Sequence, residues 1–339
     1  MADSPGATDR LKRTVKRSRL GVIGGRIGAE RVRDLRRALG REENPMGATH
    51  RGFALEKSLD YIDAVFADYE RYAGLAGEAI EGKTILELGP GDSFGVALRF
   101  IAAGAAKVIT ADRFIPIRDT GQQRAIYEGV LSRMSSDERA RVDDMLTSAG
   151  IDLPAVGIDV RAGVGIEEAP AQIGEASVDV IVSRAVLEHV FDLDTAFAAM
   201  HRLLKPGGRM AHKVDLRDHG LFTDGGLDAL EFLTVSDRLY TWMGEESAGL
   251  PNRRLQGYYE RTLAERGYAT EFLTTHLAGI EEEVEPHVPS EDGLPAHAPL
   301  DAVEKIRPRL LPRFRSLSPT ELAVAGFWVI ADKPPARLS

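Results

Sequence analysis

The stretch that decides the fold is Lys83-Thr84-Ile85-Leu86-Glu87-Leu88-Gly89-Pro90-Gly91-Asp92-Ser93. Its first half is an apolar run bounded by Gly82 and Gly89, which predicts a short buried strand. Its second half is a glycine turn, and Phe94 to Ala103 then carries helical spacing that Gly104 closes. Glycines let the backbone turn sharply here and let a ligand press against it. The helix that follows offers unpaired N–H groups and a partial positive charge. Lys107 to Ala111 is a second buried run, ending at Asp112, 21 residues after Gly91. That spacing suits a carboxylate that accepts hydrogen bonds from both hydroxyls of a ribose.

Working outward, Ile158 to Arg161 reads as a weak third strand and Val178 to Ser183 as a strong fourth. A helix over Asp194 to Leu204 stops at Pro206-Gly207-Gly208, and Arg209 to Val214 is a fifth strand. Alternating strands and helices predict a doubly wound, mostly parallel sheet with helices on both faces and ligands at the carboxyl ends of its strands. Upstream, Leu59, Ile62, Val65, Phe66, Tyr69 and Tyr72 have helical spacing that ends near Gly74. Residues 113–150 are expected to be mostly helical, as are 227–243, 253–266 and 301–311. Strands are expected at 268–275 and at Ala323 to Ala331, with an acidic, Pro-rich loop at 281–299. The chain therefore divides into a basic extension (1–45), a helical lid segment (46–82), a core (83–215) and a last part (216–339). That last part holds the substrate-side helices and the last two strands; Gly40 to Gly47 reads as a linker.

With 339 residues, 43% of them hydrophobic, the chain has room for one large α/β domain with additions. It has no cysteine, which excludes disulfides, thiolate metal sites and a cysteine nucleophile. The longest apolar run, Ala323 to Ala331, is far short of the roughly 18 residues of a membrane span. With no signal-type segment, a cytoplasmic location is expected. Residues 1–41 carry twelve Lys or Arg against four acids, so this arm is +8 and the remainder of the −9 chain is −17. The arm is expected to touch an anionic surface: lipid, nucleic acid or the body's own acids. The acidic body argues against nucleic acid as substrate. The oligomeric state is left open.

Three motifs together resemble class I, Rossmann-like S-adenosylmethionine-dependent methyltransferases. They are Leu86-Glu87-Leu88-Gly89-Pro90-Gly91; Val178-Asp179-Val180-Ile181-Val182-Ser183 with Val186-Leu187-Glu188-His189-Val190; and Leu203-Leu204-Lys205-Pro206-Gly207-Gly208. The resemblance spans residues 83–215. It implies a sheet of about seven strands with a final antiparallel strand. It places Glu87, Gly89 and Gly91, with Pro90, Asp92 and Ser93 of the same loop, around the methionine part of S-adenosylmethionine. It puts Asp112 on the ribose, Arg113 near the adenine and Ser183 near the sulfonium. Where the family often has an acidic residue on the adenine amine, this chain has Arg161-Ala162-Gly163-Val164. Asp215-Leu216-Arg217-Asp218-His219 and Asn252-Arg253-Arg254-Leu255 resemble an uncharacterised methyltransferase group of glycan or small-molecule pathways.

Methyl transfer from a sulfonium needs an aligned nucleophile and exclusion of water. A hydroxyl acceptor must also lose its proton. The candidate catalytic residues are His189 after the fourth strand and Asp215 and His219 after the fifth, and each has a structural alternative in packing, turns or capping. No metal is expected, although Asp215, Asp218 and His219 form an oxygen-rich set. Arg118, Arg124, Arg253 and Arg254 would suit an anionic acceptor if they converged. The expected function is methylation of a small molecule, at an oxygen of a sugar or natural-product-like substrate. Two alternatives stand beside it. One is an NAD(P)-dependent oxidoreductase, which Gly89, Gly91, Gly95 and Asp112 allow; the other is a non-catalytic binding or scaffold protein.

Overall fold

The computed structural model describes residues 17–39, 47–148, 150–244, 250–284, 287–289, 294–295 and 297–336. Most of the expected linker at Gly40 to Gly47, residues 1–16 of the basic arm and part of the 281–299 loop lie outside this description. The strands, in chain order, are β1 (Thr84–Leu88), β2 (Lys107–Asp112), β3 (Leu146–Thr147), β4 (Gly150–Ile151) and β5 (Ile158–Ala162). There follow β6 (Val178–Arg184), β7 (Leu204–Asp215), β8 (Ala269–Leu277), β9 (Val288–Pro289) and β10 (Val324–Asp332).

One sheet has the order β5-β2-β1-β6-β7-β10-β8-β9. β1, β2, β5, β6 and β7 pair in parallel, and Leu86 faces Ile109 on one side and Ile181 on the other. These central strands read as unbroken apolar runs because helices cover both of their faces. β10 runs antiparallel to both of its neighbours, β7 and β8. The chain thus forms a Rossmann-like α/β fold of the expected kind, with the two-residue β9 added at one edge. β3 and β4 form a separate short hairpin inside a region expected to be mostly helical.

β7 begins five residues earlier than its sequence pattern predicts. Val178 pairs with Leu204 but Val180 pairs with Arg209, so Lys205 to Gly208 bulge outward. Gly207 has φ +77°, and a Cβ on Gly208 would lie 2.7 Å from the Asp179 carbonyl oxygen. The turn needs glycine at both positions, yet the strand continues through it. The expected helix at 227–243 is broken into a 3₁₀ turn (Glu231–Thr234) and a short helix (Asp237–Trp242). That at 301–311 covers Leu300–Ile306.

The helix Leu55–Ala73 ends at Gly74, whose φ of +63° sends its N–H back to the Tyr69 carbonyl. Leu59, Ile62, Val65, Phe66 and Tyr69 are buried. Phe66 meets Phe100 edge-on at 5.2 Å and Tyr69 meets Trp328 of β10 at 5.3 Å. This helix is therefore a packed layer of the core. The shorter segment 47–53 before it is the part that reaches the glycine turn. Asp68 of the same helix binds Arg184 (2.6 Å) and Lys213 (3.2 Å), and Lys213 also binds Glu283 (2.7 Å). Lys213 is buried, so these carboxylates supply the compensation that its charge requires.

The helix Arg19–Ala38 is part of the expected basic extension. Val22 and Ile23 are buried, Arg19 pairs with Glu231 at 3.1 Å, and Arg26 donates to the Met243 carbonyl at 3.0 Å. Some of the arm's charge is thus spent on the body of the protein itself.

Gly95 shows how tightly the layers meet: a Cβ there would lie 2.3 Å from Ile62 Cδ1 and 2.9 Å from its Cγ1. Gly95→Ala should destabilise the fold by about 1–3 kcal/mol, the usual range for overpacking. Adding Ile62→Val, which removes the nearest atom, should restore part of that loss in urea unfolding. Equal stability of wild type and Gly95→Ala would refute the contact.

Candidate active site

The order of strands reverses between β1 and β6, so a crevice opens at their carboxyl ends. The glycine turn leaves β1 there, with Gly89 at φ +65° and Gly91 at φ +67°. A Cβ on Gly89 would lie 2.5 Å from Val186 Cγ2, and one on Gly91 would lie 3.0 Å from the Gly47 carbonyl oxygen. Both positions are closed to larger residues by conformation and by space.

Glu87, one residue before the end of β1, is almost completely buried, and its Oε2 has no hydrogen-bond partner. Burial, reinforced by Asp112 on the next strand, pushes its carboxyl up to about 8. Burial raises Asp112 too; it is partly buried and accepts from the amide of Phe114 (2.9 Å), and the Gly91 amide also favours its charged form. A carboxylate has more acceptor sites than these two donors fill. Arg113, expected near an adenine, pairs with Glu167 at 2.8 Å on the surface.

The remaining loop side chains are turned to internal work. Asp92 is buried and accepts from the amides of His50 (3.0 Å) and Arg51 (2.9 Å), which clasps segment 47–53 onto the turn. Ser93 Oγ accepts from the Gly95 amide, and the Tyr127 hydroxyl accepts from the Phe94 amide at 3.2 Å. The free N–H groups at this helix start are therefore partly used within the protein. Ser183, at the end of β6, lies 2.8 Å from His212 Nδ1, with both side chains buried. Burial lowers His212 to about 3, which keeps it neutral. The sequence gives no direct signal for Arg118 in the turn. Its Nη2 donates to the Gly91 carbonyl at 2.6 Å and its guanidinium lies 4.3 Å from the Phe94 ring centre.

The three expected catalytic residues gather at the neighbouring strand ends. His189 and His219 stack with ring centres 5.0 Å apart. Burial, with His219 alongside, lowers His189 to about 4, although the nearby Leu250 backbone works the other way. His189 Nδ1 is buried without a hydrogen-bond partner. His219 has φ +50°, a conformation that costs a non-glycine residue roughly 1–3 kcal/mol. Asp215 is gripped by Arg217 at 2.9 and 2.7 Å, which holds its carboxyl below the ordinary range despite burial. Asp218 is spent on the turn, accepting from the amides of Gly220, Phe222 and Thr223.

Sequence reasoning passed over Glu188. It is fully buried, and neither carboxylate oxygen has a hydrogen bond. The amides of Glu188 and Asp215 favour its charged form without reaching good hydrogen-bond geometry, and burial holds it well above the ordinary carboxylate range. The signal was its place beside His189 in a motif already singled out. Asn252 fixes this turn: its side chain donates to the carbonyls of Leu187 and Val190, both at 2.8 Å.

A cavity of about 590 Å³ lies next to the cluster, lined among others by His219, Leu227, Phe232, Leu255 and Ile280. It occupies the same end of the sheet as the glycine turn, because the carboxyl end of β8 and the start of antiparallel β10 contribute to it.

Residues 61–271, more than half of the chain, match the family described as methyltransferase domain. The chain belongs to that family. This methyltransferase uses S-adenosylmethionine as its cofactor. No curated protein matches the sequence. Among solved structures it is similar to an S-adenosylmethionine-dependent methyltransferase from Mesorhizobium loti, with 18% identity, TM-score 0.40, and 80% of this chain and 100% of that one covered. It is also similar to a geranyl diphosphate C-methyltransferase from Streptomyces coelicolor, with 14% identity, TM-score 0.42, and 80% and 77% covered. A phosphoethanolamine N-methyltransferase from Haemonchus contortus shares 14% identity at TM-score 0.41, covering 82% of this chain and 56% of that one.

The residues at the crevice fit the cofactor. The unpartnered, buried Glu87 oxygen can accept from an ammonium group, and Asp112 keeps lone pairs for hydroxyls. Gly95, counted as the third glycine in the oxidoreductase alternative, is instead a packing residue beneath Ile62.

Asp112→Ala should weaken S-adenosylmethionine binding at least tenfold by calorimetry, and unchanged affinity would refute the ribose assignment. Glu87 has a folded value of about 8 against about 4.5 unfolded, so between those values the unfolded chain loses its proton while the folded one keeps it. Its contribution therefore turns unfavourable as pH rises through that window, by a few kcal/mol in all. Glu87→Gln should flatten the pH dependence of the cofactor-free protein's melting temperature between about 5 and 8. Identical curves for wild type and variant would contradict this.

Proposed function

We propose that this methyltransferase methylates a small molecule at oxygen, a hydroxyl of a sugar or natural-product-like acceptor held in the cavity beside His219. The observation that carries this reading is the cavity itself. Its size falls within the roughly 300–1,000 Å³ typical of small-molecule sites, and its wall is about equally apolar and polar, with Leu227, Phe232 and Ile280 facing the side that holds Arg217, Asp218 and His219. An anionic acceptor is less well supported, because three of the four arginines expected to bind it are used elsewhere. Arg253 is buried and donates to the Val235 carbonyl and Asp237, Arg124 pairs with Glu128, and Arg118 holds Gly91.

The cofactor supplies a methyl group on a sulfonium, which already has a good leaving group. The protein's share is to place the acceptor oxygen in line and to make it more nucleophilic. His219, in the cavity wall, is the residue proposed to face the hydroxyl. His189 sits behind it. Asp215, held ionised by Arg217, is a positioning group that orients the loop carrying His219. Segment 47–53, clasped by Asp92, covers the glycine turn and limits the access of water.

His219→Ala should lower kcat by about 10²-fold or more while leaving S-adenosylmethionine affinity within about twofold. The measurement is product formation on a panel of hydroxylated and amine acceptors, with cofactor binding followed separately by calorimetry. Methylation of amines alone, or equal loss of turnover and cofactor binding, would overturn the reading.

A further inference from the structure

We propose that Glu188, His189 and His219 bind a divalent cation. Each offers one ligand atom, and the three atoms lie within 4.8 Å of one another. Two imidazoles and one carboxylate are a ligand set for first-row divalent metals that leaves several positions open. Ligands at right angles on such an ion lie about 3 Å apart, so the cluster has to draw in by up to about 2 Å. His219 is the member free to move, being exposed on a loop, whereas Glu188 is fixed in the interior.

A second observation points the same way. Glu188 is fully buried, and both of its oxygens lack a hydrogen-bond partner. A buried carboxyl is normally compensated by donors, by an opposite charge or by a metal. Arg217, whose charge acts on Glu188, is engaged in a two-point pair with Asp215 and makes no hydrogen bond to it. His189 Nδ1 is likewise buried and unpartnered, so it too has a lone pair or proton with no group in the fold to answer it. The three residues come from two turns that the fold pins separately. Asn252 holds the one after β6, and Asp218 holds the one after β7.

This inference rests on the proposed oxygen acceptor for its purpose. One side of the cluster opens, through His219, into the acceptor cavity. A cation there would take the acceptor hydroxyl as a further ligand and lower its pKa, so that the proton leaves to water in the cavity. The oxygen lone pair then forms the new bond to the methyl carbon as the carbon–sulfur bond breaks and its electron pair goes to sulfur. Glu188, His189 and His219 hold the ion throughout, and His219 needs to take up no proton.

The test is calorimetric titration of the full-length protein, stripped with EDTA, with MnCl₂ in the absence of cofactor and acceptor. Binding of one Mn²⁺ per chain is expected, weakened at least tenfold by His219→Ala, a loop variant that leaves the core untouched. Glu188→Gln should do the same, and circular dichroism shows whether that buried variant folds. No binding up to about 1 mM, or equal binding by wild type and His219→Ala (an adventitious ion only), would overturn the site. Turnover of a hydroxyl acceptor undiminished by EDTA would overturn it too while leaving the oxygen-acceptor reading in place. Mn²⁺ bound through these residues, with methylation confined to amines, would support the site and sink the acceptor reading.

Discussion

A parallel sheet whose strand order reverses between β1 and β6 has a crevice built into its topology. Helices cover both faces, so side chains fill the space above and below the strands. At the carboxyl ends, the chain leaves β1 towards β2 and leaves β6 towards β7, and the gap between these departures stays open. Glu87, Asp112, Ser183, His189 and Asp215 all stand at or just beyond these ends. Their grouping follows from topology before any of them does chemistry.

Placement at that rim has an electrostatic consequence. Four carboxyls lie close to the crevice, and burial acts against ionisation in each. Glu87, Asp112 and Glu188 are raised by it, whereas Asp215 escapes because Arg217 meets it at both oxygens. Uncompensated acids of this kind are costly to keep and favour cationic or donor-rich ligands. On the cofactor side, the ammonium and hydroxyl groups of S-adenosylmethionine answer that demand. On the acceptor side, a divalent cation would do so.

The segments that close the site use the opposite strategy, pinning the backbone with matched polar pairs. Asp92 takes the amides of residues 50 and 51, Arg118 takes the Gly91 carbonyl, and Asn252 takes two carbonyls of the turn after β6. Matched groups make these elements rigid, and rigidity is what in-line transfer requires.

Local pattern alone determined the central strands, the glycine turn and the identity of the carboxylate after β2. Each is written in a few neighbouring residues: an apolar run, glycines at positive φ, an acid at a strand end. The same holds for the motif that carries Glu188 and His189. What local pattern misread depended on distant partners. Asp92 and Ser93 stand in the loop but face inward, because the amides that need them arrive from residues 50, 51 and 95. Ser183 is claimed by His212 of the adjacent strand, Arg253 by Tyr240 and Asp237, and the bulge at Lys205 to Gly208 by its register with β6. Tertiary structure alone decided that Glu188 would be buried without a partner and that His219, thirty-one residues on, would reach it. A hydrogen bond or a vacant acceptor belongs to a pair of groups, and the second member of the pair is fixed only when the chain has folded.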